Sequence, residues 1–327
     1  MPPKNQRQPY QLIQTKDGSY TCYHRETRQH FHNMAGAFTE AFTHYVQLNN
    51  PVAVAKRIPA NQQATPLRIL DVCYGLGYNA WVAVTTVLDQ APHPVCIEVT
   101  AIENDPELVA FVAEGTRAIF SDRRFDTLFE HFPDIETRLA DYLKNPRDTL
   151  KLHSDKGCHV VFRLVMGDLR KVIPPMVRVD AGQYHLICHD AFSPEAMPEL
   201  WTQDLFACYY KLLVEDGIVA TYSAAGAVRG GLSEAGFVVT CSPGVGDRES
   251  GTLGVKVPVS ADPNARPRVP GYPMSVNEVQ FMQSRAGIPY RDPLLNLSRE
   301  QIVKKRGLEQ AHSSRMSGNE ARKTYLE

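Results

Sequence analysis

Four carboxylates of the sequence follow short apolar runs and could bind the hydroxyl or amine groups of a ligand. Asp71, Glu103, Asp168 and Asp190 each stand at the end of such a run. Carboxylate oxygens accept hydrogen bonds from ribose hydroxyls and amines, and a carboxylate can also take up a proton. A single acid at such a place is usually a helix cap. Four in succession predict a shared ligand site.

A glycine turn accompanies the first of these acids. The segment Asp71-Val-Cys-Tyr-Gly75-Leu-Gly77-Tyr-Asn-Ala80 stands between an apolar run and an amphipathic one. Gly75 and Gly77 would let the backbone approach a nucleotide or amino-acid ligand, and the following helix would offer unpaired N–H groups. The spacing Gly-x-Gly-x-x-Ala also fits dinucleotide binding, and a tight turn without any ligand is a further interpretation.

The elements that must position these residues follow an alternating pattern. From Leu67 to about Val257, short apolar runs alternate with longer amphipathic ones, which predicts βα units and a mostly parallel sheet. Ligands of open α/β sheets bind outside the carboxyl ends of the strands, so the four acids would face one crevice. The charged region Ser121–Asp155 has apolar residues at helical spacing, and we expect helices there.

Composition sets limits on the class of protein. The 327 residues are 43% hydrophobic, no apolar run approaches the length of a membrane span, and the seven cysteines form no Cys-x-x-Cys pair. These features favour a reduced, cytoplasmic protein that does not enter a membrane.

Charge and histidine spacing bear on the possible partners. With 35 Lys and Arg against 36 Asp and Glu, composition alone supports no nucleic-acid partner. Four histidines have spacings that could suit metal ligands, namely His24, His30, His32 and His44. No matching set of cysteines or acids accompanies them, so we expect no metal site.

The ordered acids and the glycine turn resemble class I methyltransferases. The resemblance implies a Rossmann-like α/β fold, with a mostly parallel seven-stranded sheet and helices on both faces, that binds S-adenosyl-L-methionine. It places Asp71 near the methionine part, Glu103 on the ribose and Asp168 near the adenine amine, beside Gly75 and Gly77. A nicotinamide dehydrogenase would explain the glycines and Glu103 but would leave the other acids without roles.

Two later segments are similar to one family in particular. Asp190–Thr202 and Ala220–Phe237, with the lead-in Ala35–Glu40, resemble the methyltransferase of tRNA wobble 5-aminomethyluridine. The resemblance implies conversion of 5-aminomethyl-(2-thio)uridine to 5-methylaminomethyl-(2-thio)uridine. In many bacteria that domain is fused to an FAD-dependent oxidase. Nothing after Ser260 offers a second Gly-x-Gly strand–helix unit, so we expect the stand-alone form.

Two positions depart from the family's pattern. Cys73 replaces a glycine that usually lies two residues after the acid of the first strand. The run Asp247–Gly251 stands where the family typically has a basic stretch with a methionine. A loop that should favour an anionic RNA is therefore nearly neutral.

The attacking amine must lose a proton, because free alkylamines are mostly protonated at neutral pH. Asp190 is the best-placed acceptor, with a loop-capping carboxylate as the alternative. Phe192 and Pro194 would shape the pocket, while Trp201 and Tyr222 could stack on an extruded base or pack in the core.

The sequence predicts three parts: residues 1–60 as an N-terminal substructure, 61–258 as the S-adenosyl-L-methionine-binding domain, and 259–327 as a C-terminal arm with a mobile tail. The tail is locally basic and could contact RNA, as could Arg229. Two other functions stay open. One is a methyltransferase of a small amine or another metabolite, and the other is a ligand-binding protein without turnover. The pattern carries no signal for the oligomeric state.

Overall fold

A computed structural model describes residues 8–57, 65–247, 250–258 and 269–326. The chain divides into two compact units, Met1–Gly167 with Gly244–Glu249 and Asp168–Pro243 with Ser250–Glu327. Within the described residues, eight strands form a larger sheet and three form a smaller one. None of the helices in this part of the chain has the length and apolarity that a membrane crossing requires.

The first unit begins with the small antiparallel sheet, in the order β1-β2-β3. Short helices follow it. The bounds of these elements are β1 Tyr10–Gln14, β2 Tyr20–His24, β3 Gln29–His30, α1 Ala37–Ala41, a π-helix Phe42–Val46 and α2 Pro51–Arg57.

Four strands of the larger sheet belong to the first unit, in the order β4-β5-β7-β6. Strands β4, β5 and β7 are parallel, whereas β6 pairs antiparallel to β7. Their bounds are β4 Leu67–Val72, β5 Cys96–Glu103, β6 Leu150–His153 and β7 His159–Met166. The later helices of this unit are α3 Tyr78–Gln90, α4 Pro106–Ile119, a 3₁₀ turn Arg123–Phe125, α5 Asp126–His131 and α6 Ile135–Lys144.

Helix α3 forms the centre of the first unit's core. Ten of its thirteen residues are buried, and the Trp81 ring packs edge-on against Phe120 and at a tilt against Phe162 of β7. Helix α4 starts at a sharp boundary, because the Asp105 side chain accepts hydrogen bonds from two backbone N–H groups of the first turn and Pro106 follows it. This boundary fixes where β5 ends.

The second unit holds the other four strands of the larger sheet, in the order β10-β11-β9-β8. Strand β8 is parallel to β9, whereas β11 runs antiparallel to both β9 and β10. The elements are α7 Leu169–Val179, β8 Tyr184–His189, a 3₁₀ turn Pro198–Leu200, α8 Gln203–Leu212, β9 Leu213–Thr221, α9 Gly226–Glu234, β10 Val238–Pro243 and β11 Ser250–Val255.

The described sheet has eight strands rather than the seven expected. The additional one is β6, which lies in the region where the sequence predicted helices. Its four residues alternate between buried leucines and exposed polar side chains, a period-two pattern that is too short to stand out from the helical spacing around it.

The C-terminal segment 259–327, which was expected to be an arm with a mobile tail, contains three α-helices among its described residues. Helix α10 spans Val276–Gln283, a 3₁₀ turn spans Arg285–Gly287, α11 spans Arg299–His312 and α12 spans Gly318–Tyr325. Ile302 of α11 and Ala321 of α12 are fully buried. The Arg306 guanidinium donates hydrogen bonds to the carbonyls of Ile288 and Ala286, which holds α11 against the segment after α10.

Candidate active site

The turn between β4 and α3 adopts the left-handed backbone that its glycines allow. Gly75 has φ +54° and Gly77 has φ +81°. A Cβ on Gly77 would lie 2.5 Å from the Tyr74 ring, so no larger residue fits there. The Tyr74 hydroxyl accepts a hydrogen bond from the indole N–H of Trp81 at 3.0 Å, which fixes the ring. Cys73, a residue with a side chain, also adopts a left-handed φ of +63°.

Asp71 binds the helix that follows this turn, and Glu103 binds the turn itself. The buried Asp71 carboxylate accepts the backbone N–H of Ala80 at 3.2 Å. One Glu103 oxygen accepts the N–H of Gly75 at 3.1 Å, and the other accepts those of Asn104 and Asp105 at 2.8 and 3.1 Å. The predicted neighbourhood of Asp71, Gly75 and Glu103 is therefore present in the first unit.

The Glu103 carboxylate is only 8% exposed. Burial raises its pKa above the ordinary value, although three backbone N–H groups oppose that effect by stabilising the charged form. A carboxylate with both oxygens fixed by the backbone keeps lone pairs in defined directions, which suits it to accept the hydroxyls of a ribose.

The N-terminal sheet contributes two aromatic residues that sequence reasoning missed. Tyr10 of β1 donates a hydrogen bond to the carboxylate of Asp105, two residues beyond Glu103. The Phe31 ring lies 3.6 Å from the position that a Cβ on Gly75 would occupy. The Tyr10 and Phe31 rings pack edge-on. The aromatic-rich lead-in was a signal for them, but their partners lie too far along the chain to be inferred from spacing.

Asp168 acts as the N-cap of α7 in the second unit. Its carboxylate accepts the backbone N–H of Arg170 at 3.0 Å and lies 3.5 Å from the Arg170 guanidinium. Arg170 also lies 3.5 Å from the buried Asp292 and donates to the carbonyl of Leu297. Asp168 therefore caps a helix, which is the usual role of a single acid at the end of a strand. Its role in binding the adenine amine stays a prediction.

Asp190 opens the loop that follows β8. It is half-buried, and the preceding residue, His189, is fully buried with its Nδ1 3.0 Å from the Tyr209 hydroxyl. Burial lowers the pKa of His189 to about 3, so this imidazole is neutral at physiological pH. In the same loop, the Phe192 side chain is 37% exposed and Pro194 is buried.

Two aromatic side chains bind the backbone of this loop. The Trp201 indole N–H donates to the carbonyl of Phe192 at 2.8 Å, and the Tyr222 hydroxyl donates to the carbonyl of Ala191 at 3.0 Å. Trp201 is fully buried, as the core-packing alternative for this ring predicts, and stacking on a base stays a prediction. Tyr222 is half-buried and contacts Trp201 edge-on.

Arg229 is not available as an RNA contact. Its side chain is 5% exposed and forms an ion pair with Glu278 at 2.8 Å. It also donates hydrogen bonds to Thr252 and Ser250. The suggestion that Arg229 contacts RNA is therefore wrong, because its buried guanidinium links α9 to β11 and α10 through hydrogen bonds and an ion pair.

Part of the neutral loop Asp247–Gly251 lies outside the described residues, namely Arg248 and Glu249. Asp247 itself accepts a hydrogen bond from the Asn33 side chain at 2.5 Å.

Among the residues that the structure describes, no three His, Cys, Asp or Glu side chains are grouped as metal ligands.

Comparison with known proteins places the chain in a class. A family model described as S-adenosyl-L-methionine-dependent methyltransferase matches residues 130–257. An uncharacterized protein of Methanocaldococcus jannaschii is 28% identical over 306 residues, which cover 93% of this chain and 73% of the relative.

Two further relatives carry informative names. The bifunctional protein MnmC of tRNA 5-methylaminomethyl-2-thiouridine biosynthesis from Burkholderia vietnamiensis is 28% identical over 230 residues, which cover 70% of this chain and 32% of that protein. The chain thus matches about a third of the bifunctional relative's length. The crystal structure of MnmC2 from Aquifex aeolicus is similar with a TM-score of 0.66 and 25% identity, covering 92% of this chain and 84% of the other.

Residues 130–257 thus match the S-adenosyl-L-methionine-dependent methyltransferases, and the chain is similar to MnmC over 70% and to MnmC2 over 92% of its length. The predictions of a Rossmann-like methyltransferase fold, of an enzyme and of S-adenosyl-L-methionine as methyl donor are confirmed.

Proposed function

We propose that the protein methylates the primary amine of 5-aminomethyl-(2-thio)uridine at the wobble position of tRNA. The observation that carries this proposal is the similarity to MnmC2 over 92% of the chain, together with a loop after β8 that presents Asp190 beside an exposed aromatic ring. The names of the relatives support the same substrate.

The first unit fits the methyl donor. Its positive-φ glycine turn leads into the N-terminus of α3, and Glu103 and Asp71 are fixed around that turn by backbone N–H groups. We assign the ribose to Glu103, the methionine part to Asp71, Gly75 and Gly77, and the adenine amine to Asp168. S-adenosyl-L-methionine, when bound, supplies a methyl group on a positively charged sulfur.

Asp190 provides the acid–base step. The substrate ammonium gives one proton to the Asp190 carboxylate, which frees the nitrogen lone pair. That lone pair forms the new N–C bond as the methyl–sulfur bond breaks, and the bond electrons leave with sulfur. The exposed Phe192 ring offers a face on which the uracil base stacks, a contact worth roughly 1–3 kcal/mol in other proteins. Pro194 of the same loop is buried and would help to shape the pocket around the base.

Asp190→Asn tests the assignment, because it keeps the shape of the side chain and removes the charge. We expect turnover to fall by about 100- to 10,000-fold, typical of the removal of a general base, while calorimetry shows unchanged S-adenosyl-L-methionine affinity. Turnover within a few-fold of the parent would reduce Asp190 to a loop cap.

A small amine is the second candidate substrate, favoured by the formal net charge of −1. Mass spectrometry of tRNA nucleosides from cells with and without the gene separates the two. Loss of 5-methylaminomethyl-(2-thio)uridine supports the tRNA substrate. An unchanged nucleoside profile, with no tRNA binding by the purified protein at low salt, supports the small amine.

A further inference from the structure

The loop between β8 and the 3₁₀ turn Pro198–Leu200 is held at two successive carbonyl groups. The Ala191 carbonyl accepts from Tyr222, and the Phe192 carbonyl accepts from Trp201. We propose that Tyr222 and Trp201 are positioning residues that fix the backbone directly after Asp190. This inference rests on the proposed role of Asp190 in methyl transfer.

The two donors come from elements that are themselves anchored. Tyr222 directly follows β9, whose last five residues are buried. Trp201 closes the 3₁₀ turn, with its backbone N–H bonded to Pro198, and Thr202 caps the next helix, α8, by accepting the N–H of Leu205. The loop is therefore tied to a strand end on one side and a helix start on the other.

Aromatic packing limits the freedom of both donors. The Trp201 ring lies edge-on to His189 with centroids 4.4 Å apart and edge-on to Tyr222 at 5.9 Å. Because His189 is the residue immediately before Asp190, the cluster contacts the chain on both sides of the carboxylate. A shift of the carboxylate by about 1 Å can cost on the order of 100-fold in rate. Loss of the contacts made by Tyr222 or Trp201 should therefore lower turnover.

Tyr222→Phe is the sharpest test, because it removes one hydroxyl and leaves the ring in place. Its matched control is Tyr142→Phe in the first unit, where a half-buried hydroxyl likewise donates to a backbone carbonyl, that of Asp148, at 3.1 Å. The first readout is amide hydrogen exchange of residues 190–197, measured on the full chain without substrate. We expect faster exchange there in Tyr222→Phe and the parental rate in Tyr142→Phe.

The second readout is turnover. We expect kcat to fall about three- to tenfold in Tyr222→Phe, the range for removal of one hydrogen bond, with S-adenosyl-L-methionine affinity unchanged. Combined with Asp190→Asn, it should cause little additional loss, because the hydroxyl acts through that carboxylate.

The outcomes separate the positioning role from the proposed function. Parental exchange in residues 190–197 of Tyr222→Phe overturns the positioning role, whatever the substrate is. Losses that multiply in the double variant overturn the coupling to Asp190. Faster exchange with a loss of turnover that disappears in the Asp190→Asn background supports the proposal. If Asp190→Asn alone keeps full turnover, the acid–base assignment fails. Faster exchange in Tyr222→Phe would then still support the proposal that Tyr222 fixes the backbone after Asp190.

Discussion

The Glu103 carboxylate accepts three backbone N–H groups in a position that water scarcely reaches, and these two features act on its pKa in opposite directions. Burial is the larger effect and raises the pKa above 4.5. A raised pKa in the folded state means that protonation of Glu103 favours folding, so its contribution to stability is greatest at low pH and declines as the pH rises. Acid does not unfold the protein through this residue.

Ligand binding through Glu103 should nevertheless weaken in acid. The ribose hydroxyls need the ionised carboxylate as an acceptor, and this form is depleted as the pH falls through the raised pKa, beginning above pH 4.5. Calorimetric affinity for S-adenosyl-L-methionine should therefore decline over that range. Glu103→Gln is the control and should bind more weakly with little pH dependence. An equal decline in the variant would assign the effect to another group.

Residue types and spacing were sufficient to predict that Asp71 and Glu103 lie around the glycine turn, because neighbouring parallel strands end at the same edge of the sheet. They were not sufficient to separate Trp201 from Phe192. Both are aromatic and stand in the same loop, yet one is fully buried and the other is 37% exposed. That difference depends on the folded chain, in which the Trp201 ring packs against His189 and Tyr222 and its N–H binds the Phe192 carbonyl. Spacing along the sequence carries no information about these contacts.

At the scale of elements, the β4–α3 turn depends on Gly77 for two reasons, the left-handed φ and the 2.5 Å approach to Tyr74. Gly77→Ala should lower the free energy of unfolding by more than the roughly 1–2 kcal/mol that left-handed strain alone costs, and it should weaken binding of the methyl donor. Gly182→Ala is the control, with φ +66° and nothing within 4 Å of the added Cβ. Equal destabilisation in chemical denaturation would show that the Tyr74 contact has no effect.

Elements whose hydrophobic residues recur with one regular period were predictable from the sequence. Elements without such a period were not. Strand β4 and helix α3 lie on either side of the glycine turn, as the apolar run before it and the amphipathic run after it predicted. Helix α11 is charged and poor in large apolar residues, with Ile302 as its fully buried side chain. Its docking uses the Arg306 hydrogen bonds and the Arg299–Glu199 ion pair at 3.2 Å. Such polar docking leaves no hydrophobic signature, so the segment resembled a tail.

At the scale of the whole molecule, a near-neutral chain must bind an anionic polymer through a local patch. Several arginines of the second unit that could supply one are engaged internally. Arg229 is buried against Glu278, Arg291 pairs with Asp204, and Arg306 caps carbonyls. Lys304 of α11 and Lys323 of α12 are exposed and stand outside the ion pairs found among the described residues. These lysines are the better candidates for phosphate contacts.

Removing the charge of Lys304 and Lys323 tests this patch without removing α11 and its buried Ile302. The double variant Lys304→Gln/Lys323→Gln should weaken tRNA binding and flatten its salt dependence, by roughly 0.7–0.9 in the log–log slope for each phosphate that the protein no longer neutralises. S-adenosyl-L-methionine affinity should stay at the parental value. Lys144→Gln is the control, because this exposed lysine lies in the first unit and already pairs with Asp141 at 2.8 Å. If both variants keep the parental slope across a salt series, α11 and α12 do not contact the RNA backbone, and tRNA must bind through another surface.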